Sequence, residues 1–583
     1  MCGIVGYVGE QHPKEILING LKKLEYRGYD SSGIALVGDK DIQIIKALGR
    51  IVNLEEKLEK SKVVDSHLGI AHTRWATHGG VTEANAHPHR VGKVTLVHNG
   101  ILENAASLKE DLIKEGVKFN SDTDTEVGAA LINKYYDGNP LYAIKKATSK
   151  LKGSYAFGVI FDGDPKLYAI RKDSPLIIGY GKDGNYIASD IAAIINYTKE
   201  YSLLDEGEIA VLDDEKIEVF SDGKMVTKKK ITATITAEDA DKCGYDHFMM
   251  KEIMEEPKVL ANLFERYSDF DKLPDLSKYK EIHIVACGSA MYAGIVGASL
   301  IEEKCNIKCY VECASEYRYK KVIYDRKTLV ILISQSGETA DTIAAMRKAK
   351  DEGIETLAVV NVETSTIARE CDNALFIGAG VEVAVATTKA YILQVAMLSM
   401  LVIRTVNDKK ALKEAKKIPG LLNNILEHKD IFEGVGREIY KVRDAFFIGR
   451  GIDYAMCMEG SLKLKEISYI HSDAFQAGEL KHGTISLIEK GVPVFAIITD
   501  ENIKDKTESN VVEVKSRDAS IYTITNDDTV PNHGFRYVVP KVSPYFQALL
   551  LVPVLQLIGY YTARYKGLDI DKPRNLAKSV TVE

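Results

Sequence analysis

The chain opens MCGIVGYVG, which sets a thiol one residue from the amino terminus with a glycine behind it. Once Met1 is removed, Cys2 carries that thiol and a free α-amine on one Cα. A thiol titrates near ~8.5 and an α-amine near ~7.7 to 8.0, so passing the proton from sulfur to nitrogen costs under ~1.4 kcal/mol. A lysine amine, near ~10.4, would be mostly protonated and a poorer acceptor. Cys2 is therefore a candidate nucleophile that brings its own base.

Five further stretches hold residue types with a chemical use. HTRWATHGG contains Arg74, a planar fork for a carboxylate, beside the lone tryptophan Trp75 and the polar Thr77 and His78. His72, His78, His87 and His89 raise the question of a metal, but their spacing supplies no tight ligand pair and a polar pocket is favoured. LVHNGILEN sets Asn99 and Gly100 where a side-chain amide and a backbone N–H could meet an oxyanion, although Asn-Gly is equally a hairpin turn. SDTDTEV reads as a helix N-cap with acidic first-turn residues, Asp124 among them. ISQSGETADT ends a buried strand in Ser334, Gln335, Ser336 and Thr339, where hydroxyls and helix-start N–H groups suit a phosphate; a capping turn is the plainer alternative. In EGSLKLKEISY, Glu459, Lys463 and Glu466 fall on one helical face, the arrangement of a solvated ion-pair row or of an acid–base site.

The elements that must position these residues follow from the wider pattern. With 583 residues, several domains and large cores are expected. A net charge of −7 advertises no basic face, so nucleic acid is not an expected partner. Eight scattered cysteines and the early Glu10 fit a reducing cytoplasm rather than a secreted protein. Cys305, Cys309 and Cys313 read as buried strand thiols. AYILQVAMLSMLVI and ALLLVPVLQLIGYY fall short of the ~18 charge-free residues of a membrane span and read as core helices.

Short β-type runs up to about residue 236 predict an α+β domain of layered, mostly antiparallel sheets with helices. An acidic, threonine-rich stretch then reads as a linker at 237–248. Beyond it, EIHIVACGSAMYAG and DAFFIGRGIDYAMC align at a spacing of 163, each a buried strand, glycine turn and helix. Two α/β doubly wound repeats are expected, at 249–418 and 419–583. Only the first continues into a hydroxyl-rich loop.

Cys2-Gly3-Ile4-Val5-Gly6, YRGYDSSG, HTRWATHG, HNGILEN and SDTDTE, in this order, resemble the N-terminal-nucleophile glutamine amidotransferases. HTRWATHG is most similar to the glutaminase of the glutamine:fructose-6-phosphate aminotransferases (isomerizing). SQSGETADT, EGSLKLKEISYIHSDAF, GELKHG and DKPRNLAKSVTVE resemble the paired sugar-isomerase (SIS) domains of the same family. The resemblance implies that Cys2 attacks a glutamine amide, that Asn99 and Gly100 hold the oxyanion, and that Arg74 and Asp124 grip the zwitterion beside Thr77 and His78. It implies that Trp75 gates the passage of ammonia. It also implies a sugar-phosphate site of Gly288, Ser289, Ser334, Gln335, Ser336, Thr339, Val385 and Thr387. There Glu466 would be the isomerising base, Lys463 its charge partner, His482 the ring opener from a neighbouring subunit, and Lys578 the Schiff-base amine. Where the family often has Thr-Ser, this chain has Ser289-Ala290, and Thr484 stands where many relatives have Pro.

The implied enzyme makes glucosamine 6-phosphate from glutamine and fructose 6-phosphate, as a cytoplasmic homodimer, with no cofactor, metal, nucleic acid or membrane. Two other classes compete. A dinucleotide oxidoreductase could use FFIGRGIDYA, but Ala455 comes one place late for G-x-G-x-x-G. A non-catalytic sugar-phosphate sensor would need neither Cys2 nor Lys578.

Overall fold

The computed structural model describes residues 2–233 and 241–581. Chain contacts divide it into Met1–Asp241 with Ala577–Glu583, and Lys242–Leu576. Of the linker expected at 237–248, residues 237–240 lie outside the described residues; the helix Phe248–Arg266 takes up the chain beyond it, with Pro257 in its interior.

In the first unit, an eight-stranded and a seven-stranded antiparallel sheet lie face to face. Ile4, Val97, Ala156, Leu167 and Ile187 interlock between them. The sheets come this close because small residues face the seam: a Cβ on Gly6 would meet Ile187 Cγ1 at 2.6 Å and Leu167 Cδ2 at 3.0 Å. The helices Pro13–Leu24 and Ile51–Glu59 share one outer core with the eight-stranded sheet, and Asp124–Tyr135 and Pro140–Thr148 share another with the seven-stranded sheet. The result is a four-layer αββα sandwich, the layered α+β form that the strand pattern predicts. Its innermost strand, Gly3–Gly9, is buried on both faces, and this fixes Cys2 at its head.

The second unit holds two five-stranded parallel sheets with one strand order, second-first-third-fourth-fifth. Runs such as TLVILIS are buried throughout, with five apolar residues in succession, because parallel strands are covered on both faces. In this doubly wound order, ligands bind at the carboxyl ends of the strands, beside the switch in strand order. The helices Lys389–Thr405 and Pro544–Tyr565 lie in the large core shared by the two repeats. Pro544–Tyr565 extends past its apolar stretch at both ends, and its 22 residues would suffice to cross a bilayer. Its apolar window is wholly buried, so it is a core helix here.

Candidate active site

Cys2 is half-buried, and its sulfur is received by the end of the neighbouring strand Leu68–Arg74. Trp75 N donates to Sγ at 3.3 Å, and the thiol reaches Trp75 O at 3.6 Å. Burial raises the Cys2 thiol, while the Trp75 N–H works the other way. A thiol left protonated in this way needs a base to become a nucleophile. Met1, whose removal would supply that base as the Cys2 amine, lies outside the described residues.

Asn99 and Gly100 sit inside the strand Val94–Leu102, paired with Ala156 and Tyr155, so the hairpin-turn alternative falls. Gly100 adopts φ +137°, and an added Cβ would lie 2.1 Å from Ser154 O. Asn99 Nδ2 donates to Cys2 O at 3.0 Å and to Ser189 Oγ at 2.8 Å. Its Oδ1 accepts from His72 Nε2 at 3.1 Å, and the same nitrogen donates to His98 O at 2.9 Å. Burial pushes His72 down to about 3, so the ring stays neutral and fixes which way the Asn99 amide points. His87 and His89 are likewise driven neutral by burial; His87 stacks on His72 and His89 meets His87 edge-on, and Thr125 and Thr123 hydroxyls meet their Nε2 atoms at 3.1 Å each. His72, His87 and His89 make a packed polar wall behind Asn99, while His78 stands apart on an exposed loop.

Arg74 is buried, with its guanidinium turned to the carbonyls of His78 (2.6 Å), Gly79 (3.0 Å) and Gly80 (3.2 Å). Thr77 and His78 are exposed on that loop. Asp30 braces it from below by accepting Ala76 N at 2.8 Å. Thr123 caps the helix Asp124–Tyr135, and Asp124 Oδ2 accepts Leu102 N at 2.8 Å, which ties that helix start to the Asn99 strand. Half-buried Trp75 meets Tyr29 edge-on at 5.8 Å.

In the second unit, the strand Thr328–Ser334 runs into a loop that folds over its own hydroxyls. Ser334 Oγ accepts Gly337 N and meets Thr339 Oγ1, both at 3.0 Å, and Ser336 Oγ accepts Glu338 N at 3.1 Å. Gln335 O accepts Asn361 N at 3.2 Å. Thr339 stands at the N-cap of Ala340–Asp351 without a side-chain capping bond. Gly288 opens the helix Gly288–Leu300, and Ser289 Oγ donates to Glu459 Oε1 at 3.1 Å.

Glu459, Lys463 and Glu466 share one face of Ile452–Ser468, and burial overturns the solvated ion-pair alternative: the Glu459 and Lys463 side chains are each 1% exposed. Lys463 Nζ donates to Glu466 Oε2 at 2.7 Å and lies 3.5 Å from Glu459 Oε1. Burial pushes Glu459 up to about 7. Burial also acts to lower Lys463, but the carboxylates, Glu459 ahead of Glu466, more than reverse it, so Lys463 remains an ammonium. Such a trio can hold and move a proton in a dry site.

Val385 is buried with its N–H on Asp571 O at 2.9 Å, and Thr387 Oγ1 donates to Glu382 Oε2 at 2.9 Å. His482 is exposed at the end of the turn Glu479–His482. Lys578 is half-buried and belongs to Ala577–Glu583, the segment grouped with the first unit.

Comparison with known proteins agrees with this division of labour. Residues 72–196 match the glutamine amidotransferase domain family, and residues 275–404 and 438–539 match the SIS domain family. A glutamine–fructose-6-phosphate aminotransferase [isomerizing] from Clostridium tetani is 46% identical, with 100% of both chains covered. The chain belongs to the glutamine–fructose-6-phosphate aminotransferase family. The Bacillus subtilis aminotransferase is 43% identical over 100% of both chains. A solved C-terminal domain of the Francisella tularensis aminotransferase covers 57% of this chain and 99% of its own, at 34% identity and a TM-score of 0.55.

Within this aminotransferase chain, sequence reading missed the residues that aim the others. Ser189 joins Asn99 Nδ2 to Ile4 N, which donates to its Oγ at 2.8 Å; His72 orients Asn99; Asp30 holds the Arg74 loop. Ser189 lies in none of the motifs, whereas Asp30 stands in YRGYDSSG and His72 in HTRWATHG, each without a positioning role readable there, and each acts across strands distant in sequence. A buried polar residue on an otherwise apolar strand, as in GIAHTR, was the one signal available.

Proposed function

We propose that this chain makes glucosamine 6-phosphate, hydrolysing glutamine in its first unit and using the ammonia on fructose 6-phosphate in its second. The observation that carries the reading is one polypeptide holding both a Cys2 thiol whose own carbonyl accepts from the Asn99 amide and a buried carboxylate–ammonium–carboxylate trio bonded to Ser289. Loss of Met1 frees the Cys2 amine, which takes the thiol proton as sulfur attacks the glutamine amide carbon. The tetrahedral oxygen is held by Asn99 Nδ2 and Gly100 N, ammonia leaves, and water cleaves the thioester to glutamate. Arg74 and Asp124 take opposite ends of the amino-acid zwitterion, beside Thr77 and His78, with Trp75 on the path of ammonia.

In the second unit, Gly288, Ser289, Ser334, Gln335, Ser336 and Thr339 hold the sugar phosphate, and Val385 and Thr387 contact the sugar. Lys578 forms an imine at C2, His482 of a partner subunit opens the ring, and Glu466 moves the proton between C1 and C2 with Lys463 countering charge at the enolamine. The protein works in the cytoplasm as a homodimer without a cofactor, with domains at 1–236, 249–418 and 419–583. Purified enzyme given both substrates should yield equal glutamate and glucosamine 6-phosphate. Cys2→Ala should abolish glutamate release and leave binding of fructose 6-phosphate intact; glutamate formed without amino sugar would remove the second half of the reading.

A further inference from the structure

Between the strand Asn373–Phe376 and the helix Lys389–Thr405, the chain runs without regular structure through residues 377–388, yet much of this loop is buried. A buried loop needs a partner for each backbone N–H it hides. Here carboxylates supply many of them. Glu252, on the helix Phe248–Arg266, accepts Val383 N at 2.6 Å and Ala384 N at 3.0 Å through Oε1, and Thr388 Oγ1 at 2.7 Å through Oε2. Glu382 accepts Thr388 N at 3.0 Å and Ala390 N at 2.9 Å, so it serves the open N-terminus of the following helix. Thr388 Oγ1 also lies 3.1 Å from Glu382 Oε1. A hydroxyl has one proton, and the shorter contact assigns it to Glu252.

The far side is locked as well. Asp571 accepts Val385 N through its carbonyl, while its carboxylate accepts Phe248 N and Met249 N, both at 2.9 Å, at the start of the helix that carries Glu252. Val385 is therefore flanked by bonds that lead back to one helix: Glu252 holds 383 and 384 before it and 388 after it.

We propose that Glu252 is a positioning residue for the sugar reaction, holding the Val383–Thr388 segment so that Val385 and Thr387 are presented to the substrate. This rests on the reading of that segment as a sugar contact. Glu252 touches no substrate in this scheme; it acts through the backbone that it binds. A glutamine can keep all three of these bonds, because its Oε1 still accepts two N–H groups and its amide can donate to Thr388 Oγ1, which then turns its own proton to Glu382. An alanine cannot, and leaves two buried N–H groups unpaired.

The test is steady-state kinetics and calorimetric binding of fructose 6-phosphate to the full-length enzyme. Glu252→Ala should raise KM and Kd for the sugar by about tenfold or more, the loss expected for hydrogen bonds to a charged group. Glu252→Gln should stay within about threefold of wild type, and glutamine hydrolysis should persist in both. A role in stability alone would lower the active fraction, so kcat would fall with KM unchanged, and that result would overturn the proposal; so would Glu252→Gln failing as badly as the alanine variant. If Glu252→Ala does not fold, Thr388→Val removes only the hydroxyl arm and should still raise KM about threefold, and an unchanged KM there would also overturn it. Failure of the functional reading looks different, since the wild-type enzyme would then form no amino sugar.

Discussion

At Gly288 and at Gly451, 163 residues apart, the two repeats of the second unit turn the same corner, with φ of +55° and +56°. Each corner follows the first strand, in chain order, of a parallel sheet and opens a helix. Two positions later the repeats part in charge. Where the first has Ala290, the second has Asp453, and the sheet registers place Ser334 opposite Ile498 in the comparison, because His283 pairs with Val330 as Phe446 pairs with Val494. The Asp453 carboxylate is buried and accepts Thr499 N at 2.7 Å together with the Thr499 hydroxyl. The second repeat thus fills its strand-end nest with an anion of its own. In the first, no carboxylate stands at the matching place, and the loop offers hydroxyls instead. The same fold unit thus ends in an open row of hydroxyls in one repeat and in a carboxylate-filled joint in the other.

If that contrast is right, moving the carboxylate should close the first site. Ala290→Asp puts a negative charge in the first turn of Gly288–Leu300, where a helix start welcomes it, so folding should survive. The sugar phosphate would then face a like charge, a penalty of several kcal/mol. Calorimetry should show fructose 6-phosphate binding weakened by at least about a hundredfold, with Cys2-dependent glutamate release retained. Unaltered sugar binding would break the comparison.

A smaller effect should appear at the second repeat. Burial lifts Asp453 from 3.8 to about 6, against the bonds from Thr499. A carboxyl raised on folding binds its proton more tightly in the native state, so its contribution to stability is greatest below about pH 4 and is lost as the pH climbs to about 6. Asp453→Asn does not titrate. Between pH 4.5 and 8, wild type should therefore lose roughly 2 kcal/mol relative to the variant, at ~1.4 kcal/mol per pKa unit. Urea or thermal unfolding at the two pH values checks this; a difference that does not move with pH would show that Asp453 is charged throughout.

How far the sequence foretold this depends on distance along the chain. The paired strand–glycine–helix units and the layered sheets were legible because each is written in local runs of residues. Asn99 and Gly100 were ambiguous as a pair, since only their nine-residue pairing with the strand Gly153–Phe161 tells a strand interior from a turn. Glu459 and Lys463 carried the spacing of a solvated ion row until packing removed them from water. Glu252 and Asp571 could not be read at all as supports for residues 383–388, because the reason for their charge is a buried loop more than 130 residues from one and almost 190 from the other. Asp453, visible in RGIDY, looked like part of a weak glycine motif; its meaning appears only when Thr499 is brought beside it.

The finest test bears on the shared corner itself. Neither Gly288 nor Gly451 has a neighbouring atom within 4 Å of an added Cβ, so an alanine there pays only for its positive φ, which at Gly451 is +56° with ψ −128°, outside the left-handed helical region. Backbone in such sparsely populated regions costs about 1–3 kcal/mol. Gly288→Ala and Gly451→Ala should each lower the apparent Tm of the second unit by about 2–6 °C, and by nearly the same amount. Equality would mean that the two repeats diverge only past the corner, at Ala290 and Asp453. A clearly larger loss at Gly451 would instead place part of the difference in the turn, because a corner held by the Asp453–Thr499 contact has less freedom to relax around a methyl group than one whose neighbouring loop is closed only by its own hydroxyls.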